Sequence, residues 1–262
     1  NIAPHAPYSV TAEALQASMR LAEELDTTWQ IHLSETEEER QNAIKEFGCS
    51  PVEYLAKLGC LNERTIAVHC VALSDRDIEL LAESGASVVH CPVSNMRLGC
   101  GASPVVKLLK AGINVALGTD GAASACSLSM FEQMRTAGLI AKGFSQDPTE
   151  LTVNQIIRMA TINGANALKL HCDAGSLAVG KLADLAVIDM SQLVTMPVLD
   201  VLSNVIYAVE AQCVHQVWVS GSLVANIQQE KLLRPDRGKL LTKSNIMSWQ
   251  NRVCEILRDD FN

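Results

Sequence analysis

The stretch Thr27-Thr28-Trp29-Gln30-Ile31-His32-Leu33-Ser34-Glu35 decides the reading of this chain, because a short apolar run delivers a histidine and, three residues later, a glutamate. Two later runs end the same way: Thr65-Ile66-Ala67-Val68 leads into His69, and Asn114-Val115-Ala116-Leu117-Gly118-Thr119 leads into Asp120. Metal-type polar residues at the carboxyl ends of successive buried strands are how a parallel α/β barrel builds its active site. The pattern predicts an enzyme and, among enzymes, a metal hydrolase.

Punctuated helices separate these runs. Thr11 caps a helix that places Leu15, Met19, Ala22 and Leu25 on one face. Ser50-Pro51-Val52-Glu53 is a capping box with proline in the first turn, and Gly59 stands where that helix should end. Ser74-Asp75-Arg76-Asp77 repeats the logic, Gly85 closes the helix, and Ala86 to His90 forms the next strand. Ser103-Pro104 opens a helix ending at Gly112, and Thr152 opens one that should stop near Asn163-Gly164, with a short helix running on to about Leu170. Strand and helix in close alternation mean parallel pairing with right-handed crossovers, the α/β class. After about residue 172 the texture becomes strand-rich. Gly175-Ser176-Leu177, Gly180-Lys181, Ala183 to Asp189 and Val214 to Ala225 alternate in period two and turn at glycines, which predicts a small all-β part. Asp184 and Asp189 read as turn or edge residues. Ile246, Trp249 and Val253 stand at helical spacing, so a closing amphipathic helix is expected over about 245–257.

Composition bounds the function. At 262 residues and 48% hydrophobic, the chain can bury a large core. A formal net charge of −8 and the lack of any Lys/Arg run argue against nucleic acid or an anionic membrane surface and favour a small neutral or cationic substrate. No stretch approaches the roughly 18 apolar residues of a membrane span and no signal peptide opens the chain, so a cytoplasmic protein is expected. The nine cysteines contain no Cys-x-x-Cys pair, which argues against a zinc knuckle or a disulfide framework.

Five ordered motifs carry a family resemblance: Pro4-His5-Ala6-Pro7-Tyr8-Ser9, His32-Leu33-Ser34-Glu35, Val68-His69, His90-Cys91-Pro92-Val93-Ser94-Asn95 and Gly118-Thr119-Asp120-Gly121. Together they resemble the amidohydrolase superfamily, most closely its 5-methylthioadenosine/S-adenosylhomocysteine deaminases. Met159 to Ala165 and Gly175 to Leu185 look like that family's junction between barrel and composite β-sandwich. The resemblance implies a (β/α)8 TIM-type barrel with a β-sandwich appendage. Residues 1–172 would be the C-terminal part of the metal-dependent barrel, and 173–262 a sandwich portion with the closing helix. It implies zinc-dependent hydrolytic deamination of an adenine nucleoside thioether. Guanine or pterin deaminases, triazine hydrolases and a catalytically silent barrel fragment are the alternatives.

One departure stands out. The family carries a His-x-His pair at the end of its first strand, and none of His5, His32, His69, His90, His171 and His215 forms one. A complete barrel typically needs about 250 residues, more than residues 1–172 supply. We therefore expect strands one to three, two metal ligands and half of the sandwich to come from an N-terminal part of the same protein, and the enzyme to be a homo-oligomer.

By resemblance, His32 and Asp120 are the metal ligands, with one zinc per complete site. Two ligands fall short of the usual three, so weak zinc binding is expected of this chain alone. His69 and Asp120 would accept the proton of the attacking water and orient its attack, and Asp120 also meets the substrate. Glu35 would bind the substrate and donate a proton to its ring nitrogen, and His5 resembles the family's substrate-contacting histidine. Binuclear members bridge two metals with a carboxylated lysine at the end of strand four; here that place holds His5, and the first lysine is Lys45. The separate deaminase type built on Pro-Cys-x-x-Cys is excluded, because Cys91-Pro92 runs in the wrong order. Other readings of single residues stay open. Glu35 also suits a first helical turn, where the dipole favours an acid, while Glu37, Glu38 and Glu39 read as solvated helix face. Asp120 also suits a turn before Gly121, Ser94 and Asn95 a turn or a substrate rim, and His90 a brace.

Overall fold

The computed structural model describes residues 1–226 and the backbone of 231–232. The helix expected over about 245–257 lies outside the described residues. The described chain divides into two compact units, Asn1–Ser176 with Asp200–Tyr207, and Leu177–Leu199 with the residues from Ala208 on.

In the first unit, α1 (Ala12–Glu24) precedes β1 (Trp29–Leu33), α2 (Glu37–Phe47) and α3 (Pro51–Lys57) precede β2 (Thr65–His69), and α4 (Asp75–Ser84) precedes β3 (Ser87–His90). Then come α5 (Pro92–Arg97), α6 (Val105–Lys110), β4 (Asn114–Leu117), α7 (Ala122–Ala125), α8 (Met130–Ser145), α9 (Val153–Ala160) and α10 (Ile162–Ala167). The four strands pair in parallel in the order β1-β2-β3-β4, and Ile2 adds a parallel bridge to Trp29. Helix-filled crossovers are what parallel neighbours require. Trp29, Ile31 and Leu33 are buried with Leu15, Met19 and Ala22 of α1 in one apolar core. By the period of two, Gln30 and His32 face the other way and stay partly exposed. Trp29 keeps its indole satisfied by donating from Nε1 to Ser18 Oγ at 2.8 Å. Between β3 and β4 the approach is close: a Cβ on Gly118 would lie 2.7 Å from Val89 Cγ1, so glycine alone fits before the loop that carries Asp120.

The caps are those the sequence spells. Ser50 and Ser74 each close a capping box, with Glu53 and Asp77, and Gly85 ends α4 in the left-handed region. Two expectations are corrected here. Leu25 is the C-cap residue of α1 and is exposed, so it leaves the apolar face. The break after α9 falls at Thr161 (φ −131°, ψ −96°), and Asn163-Gly164 lie inside α10. Asn163 is held there because its Nδ2 donates to Val115 O at 2.9 Å, a long-range bond no local pattern shows.

In the second unit, β5 (Leu185–Ile188), β6 (Val214–Val219), β7 (Ser222–Asn226) and β8 (Lys231–Leu232) form an antiparallel meander. No strand forms at 175–181, and residues 201–207 form a helix, α11 (Val201–Tyr207), assigned to the first unit; the tail is therefore not all-β. Asp184 Oδ1 accepts from Ser220 N at 2.7 Å, and Asp189 Oδ1 accepts from Ser191 N at 2.9 Å. Both aspartates thus serve turns.

Asp77 joins two caps in the buried layer. Its carboxylate accepts from Ser74 N at 2.8 Å, from Ser74 Oγ at 2.7 Å and from the Ser50 hydroxyl, which is itself the N-cap of α3. Asp77→Ala strips these donors together and should lower stability by about 2–3 kcal/mol in urea unfolding. Asp75→Ala, two residues earlier and largely exposed, should stay within about 0.5 kcal/mol.

Candidate active site

The carboxyl ends of β1 and β2 and the loop after β4 meet at one point. Ligand atoms of His32, His69 and Asp120 all lie within 4.8 Å of one another. Parallel register sets this up, since Leu33 pairs with His69 across β1 and β2. By strand periodicity, however, His69 should share the face of Leu33, opposite to His32. The backbone resolves the conflict: His69 ends its strand at φ +75°, and its ring stacks on that of His32 with centroids 5.3 Å apart and planes 27° apart. Ser34, Cys70 and Asp120 also have positive φ, at 50°, 49° and 57°. Each such non-glycine residue stores on the order of 1–3 kcal/mol, and active sites are where such strain collects.

Each of the three groups is held from behind. His32 Nδ1 donates to His5 O at 2.9 Å; a carbonyl only accepts, so this ring carries its proton on Nδ1 and leaves Nε2 free. His69 Nδ1 lies 2.8 Å from Asn95 Oδ1, with Nε2 directed at Glu35 Oε1, 3.9 Å away. Asp120 accepts from Ser94 Oγ and from Gly121 N, both at 2.6 Å. Burial alone would raise the Asp120 carboxyl, but these two donors and the fields of His69 and His32 outweigh it and hold it below the ordinary carboxylate range. Two free imidazole nitrogens beside an ionised carboxylate, all braced, are a donor set that zinc prefers. The site therefore fits the expected metal. His69 stands beside the two ligands named from the sequence, His32 and Asp120, with its Nε2 toward Glu35, so it is placed to handle a proton next to the metal position.

The other expected residues gather here as well. The His5 ring packs edge-on to His32 at 5.1 Å and to Tyr8 at 5.8 Å, while its Nδ1 meets Ser9 Oγ at 2.7 Å. Glu35 lies just before α2 and accepts from the Cys100 thiol at 3.5 Å. That thiol is pushed up to about 11 by burial and by the Glu35 charge, so it remains a donor. Glu35 also lines an open acidic cleft with Tyr8, Glu38, Glu39 and Glu46. His90 is buried, and burial above all lowers it to about 3, so it sits neutral in the wall.

Four supporting residues escaped the sequence reading in whole or part. Glu39 is not solvated helix face: its carboxylate accepts from Ser34 N at 2.9 Å and Glu35 N at 2.6 Å and fixes the backbone that presents Glu35, while burial raises its pKa. The spacing Thr36-x-x-Glu39 was a usable signal, being that of a capping box. Ser94 and Asn95 are neither turn nor rim; they lie fully buried in α5 and hold Asp120 and His69. Cys100 had no sequence signal at all, because its partner is 65 residues away.

Comparison with known proteins agrees with this geometry. The model of the amidohydrolase family matches residues 1–224. A 5-methylthioadenosine/S-adenosylhomocysteine deaminase of Teredinibacter turnerae is 45% identical over 250 residues, covering 95% of this chain and 56% of its own length. A 5'-deoxyadenosine deaminase of Methanothermobacter thermautotrophicus is 43% identical over 223 residues, covering 85% and 52%. The crystal structure of an adenosine deaminase from Xanthomonas campestris with bound zinc superposes with a TM-score of 0.88 at 40% identity, over 97% of this chain and 57% of that one. The chain spans about half the length of the curated relatives it matches. Sheet order, the braced His/His/Asp cluster and these matches lead to one statement: this chain belongs to the amidohydrolase family.

Proposed function

We propose that the complete enzyme is a zinc-dependent hydrolytic deaminase of adenine nucleoside thioethers, converting 5'-methylthioadenosine and S-adenosylhomocysteine to their inosine analogues with release of ammonia. The observation that carries this reading is the braced cluster of His32, His69 and Asp120 with Glu35 beside it. The Teredinibacter relative is named for these two thioethers, and the Methanothermobacter relative for 5'-deoxyadenosine, an adenine nucleoside without the sulfur. We read residues 1–172 as part of a (β/α)8 barrel and 173–262 as part of a β-sandwich. Among the described residues no strand pairs with β4 on its far side, and closure of the parallel sheet by further strands of the same protein would satisfy that edge.

His32 and Asp120 would hold the metal, one ion per site. When bound, zinc supplies a water acidic enough to ionise near neutral pH. The chain's own groups manage the protons. His69 Nε2, kept free by the bond at Nδ1, takes a proton from the attacking water, and Asp120, ionised, orients that water. Glu35 gives a proton to the ring nitrogen beside the amino-bearing carbon, where charge develops as the water oxygen bonds to that carbon. The carbon–nitrogen bond then breaks, the amino group leaves as ammonia with the proton held by His69, and the hydroxyl on that carbon gives its proton back to Glu35 as the carbonyl forms, so one water is consumed for each ammonia released. The His5 ring, stiffened by Pro4 and Pro7, faces the same mouth and suits the purine or ribose edge.

Glu35→Gln fills the same volume but cannot deliver a proton. It should retain one zinc by metal analysis and lose roughly 10²–10⁴-fold in kcat. His32→Ala should lose metal and activity together. Near-parental turnover by the Gln variant would make Glu35 a mere helix-start residue, and a complete protein without stoichiometric zinc would make the barrel a silent module.

Substrate choice is checked by ammonia release at equal concentrations. The two thioadenosines should outpace guanine, a pterin and a triazine. A faster reaction with any of those three would overturn the nucleoside assignment and leave the hydrolase chemistry intact.

A further inference from the structure

Asn95 lies in α5 with no exposed surface, and its side-chain Oδ1 stands 2.8 Å from His69 Nδ1. An amide oxygen only accepts, so the contact is a hydrogen bond when Nδ1 carries the ring proton. That tautomer leaves a lone pair on Nε2, the nitrogen that faces Glu35 Oε1 at 3.9 Å. The opposite tautomer would set lone pair against lone pair at Nδ1 and turn an N–H toward the donor cluster, where it could neither bind a metal nor take a proton.

The amide has no second task among the described residues. Its Nδ2 is buried without a hydrogen-bond partner. An orphaned buried donor is destabilising, and an apolar side chain of similar volume would remove that penalty. The local fold does not need the amide either: the helix is tied by main-chain bonds, Asn95 N to Cys91 O at 3.0 Å and Cys100 N to Asn95 O at 2.8 Å. The His5 carbonyl does for His32 what Asn95 does for His69, and with it the two stacked rings both present Nε2.

We propose that Asn95 is a positioning residue whose Oδ1 fixes His69 as the Nδ1–H tautomer and so keeps Nε2 available for chemistry. The proposal rests on the role given to His69 above. It deepens that role by naming what sets the proton's place before substrate arrives.

Two variants of the intact enzyme and one spectrum test it. Asn95→Leu removes the acceptor at nearly constant volume, and kcat on 5'-methylthioadenosine should fall on the order of 10²-fold, as for other residues that orient a site histidine. KM should change little. Asn95→Asp keeps an acceptor at the same place and should restore most of the loss, which a merely structural role would not predict. Nitrogen-15 NMR of the histidine-labelled, zinc-stripped protein, assigned with His69→Gln, reads the tautomer without any turnover. His69 should appear as Nδ1–H in the parent and in Asn95→Asp, and shift toward Nε2–H in Asn95→Leu. An Nε2–H tautomer in the parent, or parental kcat in a folded Asn95→Leu, would overturn the proposal. Should the Leu variant not fold, the parent and Asp spectra decide alone. An enzyme inactive on thioadenosines but with the expected tautomer would sink the substrate reading and leave this one standing.

Discussion

Parallel pairing of β1 with β2 aligns Leu33 with His69, and this register starts the gathering of the functional groups at the carboxyl ends of the strands. Parallel strands all end at the same side, so residues far apart in the chain share an end without any special contact between them. Pairing of β3 with β4 brings in Asp120 three residues beyond the last strand position, and the close approach at Gly118 holds that loop against β3. Without this register the cluster would be three unrelated polar residues.

Register alone, however, would have aimed His69 at the helices. Alternation assigns it to the face of Leu33, and only the left-handed backbone at its position swings the ring onto His32. The strain is offset locally. Cys70, also left-handed, donates from its N–H to Leu33 O at 3.0 Å, and Val71 N donates to Ser34 O at 2.9 Å, so the two strand ends are stitched together just beyond the sheet. Stability and chemistry are coupled here through the backbone.

A second layer does the aiming. One short helix, α5, supplies Ser94 to Asp120 and Asn95 to His69, and the loop after it brings the Cys100 thiol to Glu35. From the other side, the Glu39 carboxylate clamps the main chain of Ser34 and Glu35, and the His5 carbonyl clamps His32. A metal or proton-transfer site works only if its members hold their tautomers and directions before substrate binds. Here nearly every member has one identifiable partner.

Local signals in the sequence determined much. Capping boxes at Ser50 and Ser74, the glycine stop at Gly85 and the apolar runs into His32, His69 and Asp120 each act within a few residues, so helix starts and strand ends could be read directly, and family motifs added the roles. Tertiary structure decided what depends on distant partners. The break at Thr161 rather than at Asn163 follows from a bond between Asn163 and Val115; the burial of Glu39, the bracing by Ser94, Asn95 and Cys100, and the turning of His69 likewise need neighbours supplied by packing. Sequence spacing reports which residues reach the same end of the sheet. Which way each side chain then points is set by hydrogen bonds spanning 26 residues or more, and those exist only once the strands have paired.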